Sequence, residues 1–253
     1  MIKILKSISL SCLSVSFAVV PILQAGNNNP DAIESNKPLP YTSPDNFKIN
    51  KSPLSVEAAV LYSDLRLQEY CLPEDAFEYA YKGYQYLLAK NKIKNSDYLT
   101  ICDFSQSSRN KRLYVIDLRN EKLLINTFVA HGRNSGKEYA DHFSNKPTSR
   151  QSSLGFYSTS STYFGKHGLA LVINGLEPGI NDKAAKRKIV IHGSKYVGSN
   201  YLQFSQFMGR SFGCPAVPQA ESTTIINTIK NGSCFFIYHP DKKYLKSSKI
   251  LNG

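Results

Sequence analysis

The stretch Leu113-Tyr-Val-Ile-Asp-Leu-Arg-Asn-Glu-Lys-Leu-Leu-Ile-Asn-Thr-Phe-Val-Ala130 decides how the chain folds. Two apolar runs, Leu113–Leu118 and Leu123–Ala130, flank the polar link Arg119-Asn120-Glu121-Lys122. Branched and aromatic side chains suit a pleated surface, and a short polar link suits a hairpin turn. Runs of the same texture recur at Leu169–Asn174, Lys188–His192 and Cys234–Tyr238, separated by Gly, Asn and Ser. Helical stretches between them are few, the clearest being Gln219–Lys230. The pattern predicts a mainly β domain over 96–240 with minor helix, either a sandwich or a distorted barrel.

Upstream, the texture changes. Residues 52–95 read as a helical region. Ser52-Pro53 makes a helix start, with Val56, Ala59, Val60 and Leu67 near one face. Pro73-Glu74-Asp75 opens a second helix with Phe77, Ala80, Tyr81, Tyr84, Leu87 and Leu88 at helical spacing. Residues 26–51, rich in Asn, Pro, Ser and Lys, lack an apolar period and read as a flexible leader. Residues 1–25 have the three parts of a secretory signal peptide. Lys3 and Lys6 form the basic start, Ile8–Ile22 the apolar core, and Ala25 the cleavage point. Residues 241–253 form a basic tail.

The chain has 253 residues and a net charge of +12, from 31 Lys+Arg against 19 Asp+Glu. That length supports a full core, and an apolar share of 42% fits neither a disordered chain nor a multi-span membrane protein. Excess positive charge favours anionic partners. Two clusters carry much of it: Lys183, Lys186, Arg187 and Lys188, then Lys242, Lys243, Lys246 and Lys249. Both read as solvated surface, with weak contact to an anionic wall or membrane surface as the alternative. No interleaved aromatic motif points to nucleic acid.

Chemistry concentrates in Lys188-Ile-Val-Ile-His192-Gly193 and Gly209-Arg-Ser-Phe-Gly-Cys-Pro-Ala-Val217. A buried-looking strand delivers His192 to its end. Gly213 permits a tight turn that projects the Cys214 thiol while backbone N–H groups converge beside it. A thiol at neutral pH needs a base, and histidine is the usual one. On the residues alone this is a candidate cysteine–histidine pair, with a structural cysteine and a strand-end histidine as the alternative. In an exported chain, Cys71, Cys102, Cys214 and Cys234 would meet oxidising conditions, and four cysteines allow three pairings. Cys71 with Cys102 is one option, and Cys234 reads as a core thiol. A zinc site through His131, His167, His192 and Cys214 lacks any closely spaced ligand pair. His142 and His239 suggest no partner.

These segments resemble the murein L,D-transpeptidase catalytic-domain family. His192-Gly193 and Ser211-Phe212-Gly213-Cys214 match its motif, and Gly209–Val217 resembles the branch reading Gly-Arg-Ser-x-Gly-Cys-Pro-Ala-Val. Further similar pieces are Ala130-His131-Gly132-Arg133, Phe143-Ser144-Asn145, Ser152-Ser153-Leu154-Gly155, Tyr163-Phe164-Gly165-Lys166-His167-Gly168 and Asn174-Gly175-Leu176-Glu177. They run in consistent order over residues 95–240. Two positions depart: Phe212 stands where many members carry a second histidine, and Ala216 where many carry Arg or Asn.

The resemblance implies an L,D-transpeptidase-like fold and an exported cysteine peptidyl-transferase acting on peptidoglycan stem peptides in the periplasm or cell envelope. It implies Cys214 as nucleophile, His192 as base and the Gly193 carbonyl as the group orienting the imidazole. The N–H groups of Phe212, Gly213 and Cys214 would form the oxyanion hole. Ser211, Arg210, His167 and His131 would contact substrate, Ser211 also bonding within its turn. No metal or organic cofactor is implied, and a monomer is expected. The alternatives are an L,D-carboxypeptidase using water as acceptor and a non-catalytic wall-binding module.

Overall fold

A computed structural model describes residues 52–253. The signal peptide read over 1–25 and the leader read over 26–51 lie outside the described residues. Helix α1 (Pro53–Asp64) begins where the Ser52 side chain accepts the Ser55 N–H and proline takes the first helical position. Its inward side is not the predicted one. Val56 and Val60 are more than half exposed, whereas Ala58 and Leu65 are buried. The small Ala58 allows close approach, and Glu57 accepts a 2.6 Å hydrogen bond from Tyr81. Helix α2 (Glu74–Ala89) buries Phe77, Ala80, Tyr81, Tyr84 and Leu87.

Eight strands follow: β1 (Tyr98–Asp103), β2 (Leu113–Asp117), β3 (Lys122–Thr127), β4 (Gly155–Gly165), β5 (Gly168–Gly175), β6 (Val190–Ser194), β7 (Ala216–Pro218) and β8 (Cys234–Tyr238). They form one sheet in the order β3-β2-β1-β8-β4-β5-β6-β7. The β1–β8 and β6–β7 pairs are parallel, the others antiparallel. Just past β3, Ala130 bridges Ala216 of β7, and Gly132 bridges Ser211. The two edges of the sheet therefore meet, making a nearly closed, distorted barrel rather than a sandwich. Phe156 and Phe236 stack at 4.1 Å, with the Phe156 ring against Gly83 of α2.

Short helices complete the chain: α3 (Ser199–Leu202), α4 (Ser222–Ile229), α5 (Lys242–Ser247) and α6 (Lys249–Asn252). No helix among the described residues is long and apolar enough to cross a membrane. The stretch read as a basic tail is docked: Lys242, Lys243, Lys246 and Lys249 are exposed, but Tyr244, Ile250 and Leu251 are buried. Glu177 ties it down. Its carboxylate accepts the Phe156 N–H (2.8 Å), the Tyr244 hydroxyl (3.1 Å) and the Ser248 hydroxyl. Glu177→Ala leaves a buried N–H unpaired and is expected to cost at least about 2–3 kcal/mol. Thermal melts and limited proteolysis check this, with cleavage appearing first in α5 and α6.

Candidate active site

Strand β6 lies between β5 and β7, with His192 opposite Ala170 on one side and Ala216 on the other. Alternation along the strand sends Ile191 into the core and His192 to the other face. His192 is only 6% exposed. Its Nδ1 lies 3.0 Å from the Gly193 carbonyl. A carbonyl only accepts, so Nδ1 carries the proton and Nε2 holds a free lone pair. Burial pushes the His192 pKa below its ordinary value. The Gly193 carbonyl opposes that shift, and the His167 charge adds to it. The imidazole is thereby kept neutral, as a base must be.

Cys214 sits in the turn that leads into β7. Its Sγ accepts the Val190 N–H at 3.5 Å and approaches the Lys188 carbonyl at 3.8 Å. The thiol thus rests against the beginning of the strand that carries His192. Burial pushes its pKa up, while the Val190 N–H and the Arg187 guanidinium pull it down. Gly213 has φ +125, and a Cβ there would come within 2.8 Å of the Gln151 carbonyl oxygen. Glycine is therefore required at this corner.

The turn is braced from within. The Ser211 hydroxyl accepts the Gly213 N–H (3.0 Å) and donates to the Cys214 carbonyl (2.6 Å). Ser211 bonds within its turn as expected, and its side chain is buried there. The Gly213 N–H is engaged, which leaves Phe212 and Cys214 as the N–H donors without a hydrogen bond among the described residues.

The remaining candidates separate. His167, exposed in the β4–β5 turn, stacks on His192 with ring centroids 4.7 Å apart. His131 is 1% exposed and cannot touch a substrate through its side chain. Its Nδ1 faces Arg112 Nη2 at 2.8 Å, and burial with the Arg112 charge lowers its pKa to about 3. What His131 supplies is backbone: its carbonyl accepts the Ser211 N–H at 3.0 Å. Arg210 turns toward the loop that follows His131, donating to the carbonyls of Arg133 (3.3 Å) and Gly136 (3.0 Å). It braces that loop. The four suggested zinc ligands do not converge, and no such group of three exists among the described residues. All four described cysteines are free, so the Cys71–Cys102 pairing is not made.

Sequence reasoning missed Arg187. It read as one cation in a solvated run, yet its guanidinium is half-buried behind the nucleophile turn. It donates to the Ser144 carbonyl (2.7 Å), to the hydroxyls of Ser153 (2.5 Å) and Ser149 (3.3 Å), and to the Gln151 carbonyl. An arginine within a lysine run was the available signal, because only its fork can join so many acceptors. Ser152 was also missed as a contact: its hydroxyl accepts the Gly132 N–H and donates to the Gly213 carbonyl.

A family model described as the L,D-transpeptidase catalytic domain matches residues 68–238. The chain belongs to this family. Among solved structures, it is similar to an L,D-transpeptidase from Mycobacterium smegmatis (8% identity, 56% of this chain and 59% of that one, TM-score 0.35). It is also similar to the helical cell shape determining protein Pgp2 from Campylobacter jejuni (15% identity, 64% and 57%, TM-score 0.36). A third is an L,D-transpeptidase from Xylanimonas cellulosilytica (12% identity, 71% and 93%, TM-score 0.32). The match thus spans less than two thirds of the first two chains. A search of curated proteins finds no match.

Proposed function

We infer that this chain is an exported cysteine L,D-transpeptidase acting on peptidoglycan stem peptides in the cell envelope. The observation that carries the reading is the 3.0 Å contact of His192 Nδ1 with the Gly193 carbonyl, which leaves Nε2 as a base. That base is on the strand whose Val190 N–H touches the Cys214 thiol. With burial raising the thiol and lowering the imidazole, both groups are neutral at rest. Proton transfer then accompanies attack rather than preceding it.

The thiol swings from Lys188 toward His192 and attacks the carbonyl of the donor's third, diamino-acid residue. His192 Nε2 takes the Sγ proton as the C–S bond forms. The oxyanion is held by the N–H groups of Phe212 and Cys214. Collapse breaks the peptide bond, the imidazolium protonates the departing D-Ala amine, and a thioester remains on Cys214. An amine acceptor attacking that thioester restores the thiol and yields a cross-link. Water in its place yields the carboxypeptidase product. The export reading rests on Lys3, Lys6 and the apolar run Ile8–Ile22.

Mass analysis of muropeptides after mixing the purified protein with tetrapeptide-bearing wall fragments tests the reading. Cross-linked species that have lost one D-Ala are expected. Tripeptides alone make the chain a carboxypeptidase. Unchanged fragments in the presence of reduced Cys214 overturn the enzymatic reading in favour of a wall-binding module.

A further inference from the structure

Beside the nucleophile turn lies an open cavity of about 550 Å³ whose lining includes Asn134, Arg150, Lys186, Arg187, Lys188 and Phe212. None of its described lining residues is acidic. Its position relative to the thiol is fixed by contacts already described. The Lys188 carbonyl approaches Cys214 Sγ at 3.8 Å, and Phe212 precedes the glycine of the turn. Arg187 Nη2 lies 3.2 Å from where a Cβ on Gly213 would stand.

The four cations are not equivalent. Arg187 uses its guanidinium on Ser144, Ser149, Gln151 and Ser153, so it contributes charge rather than free donors. Arg150 is held over the exposed Phe212 ring, 4.9 Å from its centroid. Arg150, Lys186 and Lys188 make no ion pair with a carboxylate among the described residues. Like charges gathered without a counter-charge repel one another, and a bound anion relieves that cost.

The geometry points to an anion subsite here: the cavity takes a carboxylate of the peptide presented to Cys214, with Arg150, Lys186 and Lys188 as its contacts. This rests on the transpeptidase reading for the identity of the peptide, and it names the group by which that peptide is held. A carboxylate suits the site better than an extended polyanion, because the charge lies in a concavity against the reactive turn. Recognition is expected to depend on both charge and salt.

The test separates the subsite from the turnover it serves. Cys214 is alkylated with iodoacetate and, in parallel, with neutral iodoacetamide. In each case Sγ forms the new C–S bond and iodide leaves, so the thiolate fraction cancels in the ratio of the two rates. Relative to the wild type, Arg150→Gln with Lys188→Gln is expected to lower the iodoacetate-to-iodoacetamide ratio about 3–10-fold. High salt is expected to lower the wild-type ratio in the same direction. In the second arm, a tetrapeptide with free carboxylates is compared with its amidated form. The double variant is expected to raise KM for the free form with kcat little changed, and to leave the amidated form unaffected. An unchanged alkylation ratio, or equal KM values for the two peptides on the wild type, overturns the subsite. A lowered ratio with neither peptide turned over supports the subsite and overturns the transpeptidase reading instead.

Discussion

Cys214→Ala is expected to abolish turnover outright, because no other side chain can form the thioester. Of the other described cysteines, Cys71 is exposed but lies between α1 and α2, outside the β6–β7 site, and the remaining two offer no substitute. Burial pushes the thiols of Cys102 and Cys234 far above their ordinary range, and both are sealed in the core. Cys234→Ala is expected to lower stability by about 1 kcal/mol or more while keeping the rate per folded molecule, since it removes a buried sulfur from β8. Rates normalised to the folded fraction check the pair. Wild-type activity in Cys214→Ala removes the mechanism.

His192→Ala is expected to slow acylation of Cys214 by roughly 10²–10⁴-fold, the usual worth of general-base assistance. The fold should survive, because among the described residues the imidazole hydrogen-bonds only to its neighbour Gly193. The pH dependence carries a sign. The base form of His192 is required, and burial holds its pKa below the ordinary value. The acid limb of the rate profile therefore lies below about pH 6.5, and activity falls as His192 takes its proton. The charge of His167, stacked at 4.7 Å, adds to that lowering. His167→Gln should move the limb to higher pH without removing activity. A collapse of thiol reactivity in His167→Gln, with His192→Ala nearly normal, would transfer the role of base to His167.

Legibility in the sequence followed how local the signal was. The hairpin of β2 and β3, together with β5 and β8, announced itself through apolar branched runs bounded by polar links, and so did the mainly β class. The long strand β4 did not, because its sequence Gly155-Phe-Tyr-Ser-Thr-Ser-Ser-Thr-Tyr-Phe-Gly165 turns polar where its outer half reaches solvent. Three-residue β7 is invisible to any period. The inward side of α1 was misread because Val56 and Val60 outweigh Ala58 in hydrophobicity but not in how closely a neighbour can approach.

At the site, sequence order marked His192, Gly193 and Cys214, while the roles of the residues around them depended on burial. His131 and Ser211 lie in segments similar to the family's, yet both side chains are inside, His131 against Arg112 and Ser211 bracing its own turn. Arg187 reads as surface charge until the loop over 144–153 folds against it. The Arg187 contacts link residues more than thirty positions apart, and no local pattern encodes them.

The covalent intermediate is the centre of the account, and intact-protein mass spectrometry measures it directly. Wild-type protein is mixed with a tetrapeptide donor, without an amine acceptor, and quenched in acid within the first turnover. The expected result is a mass increase equal to the donor less D-Ala, mapped to Cys214 by peptide sequencing, reversed by hydroxylamine and missing in Cys214→Ala. Donor consumed at the wild-type rate with no adduct on Cys214, or with the adduct on another residue, would contradict it.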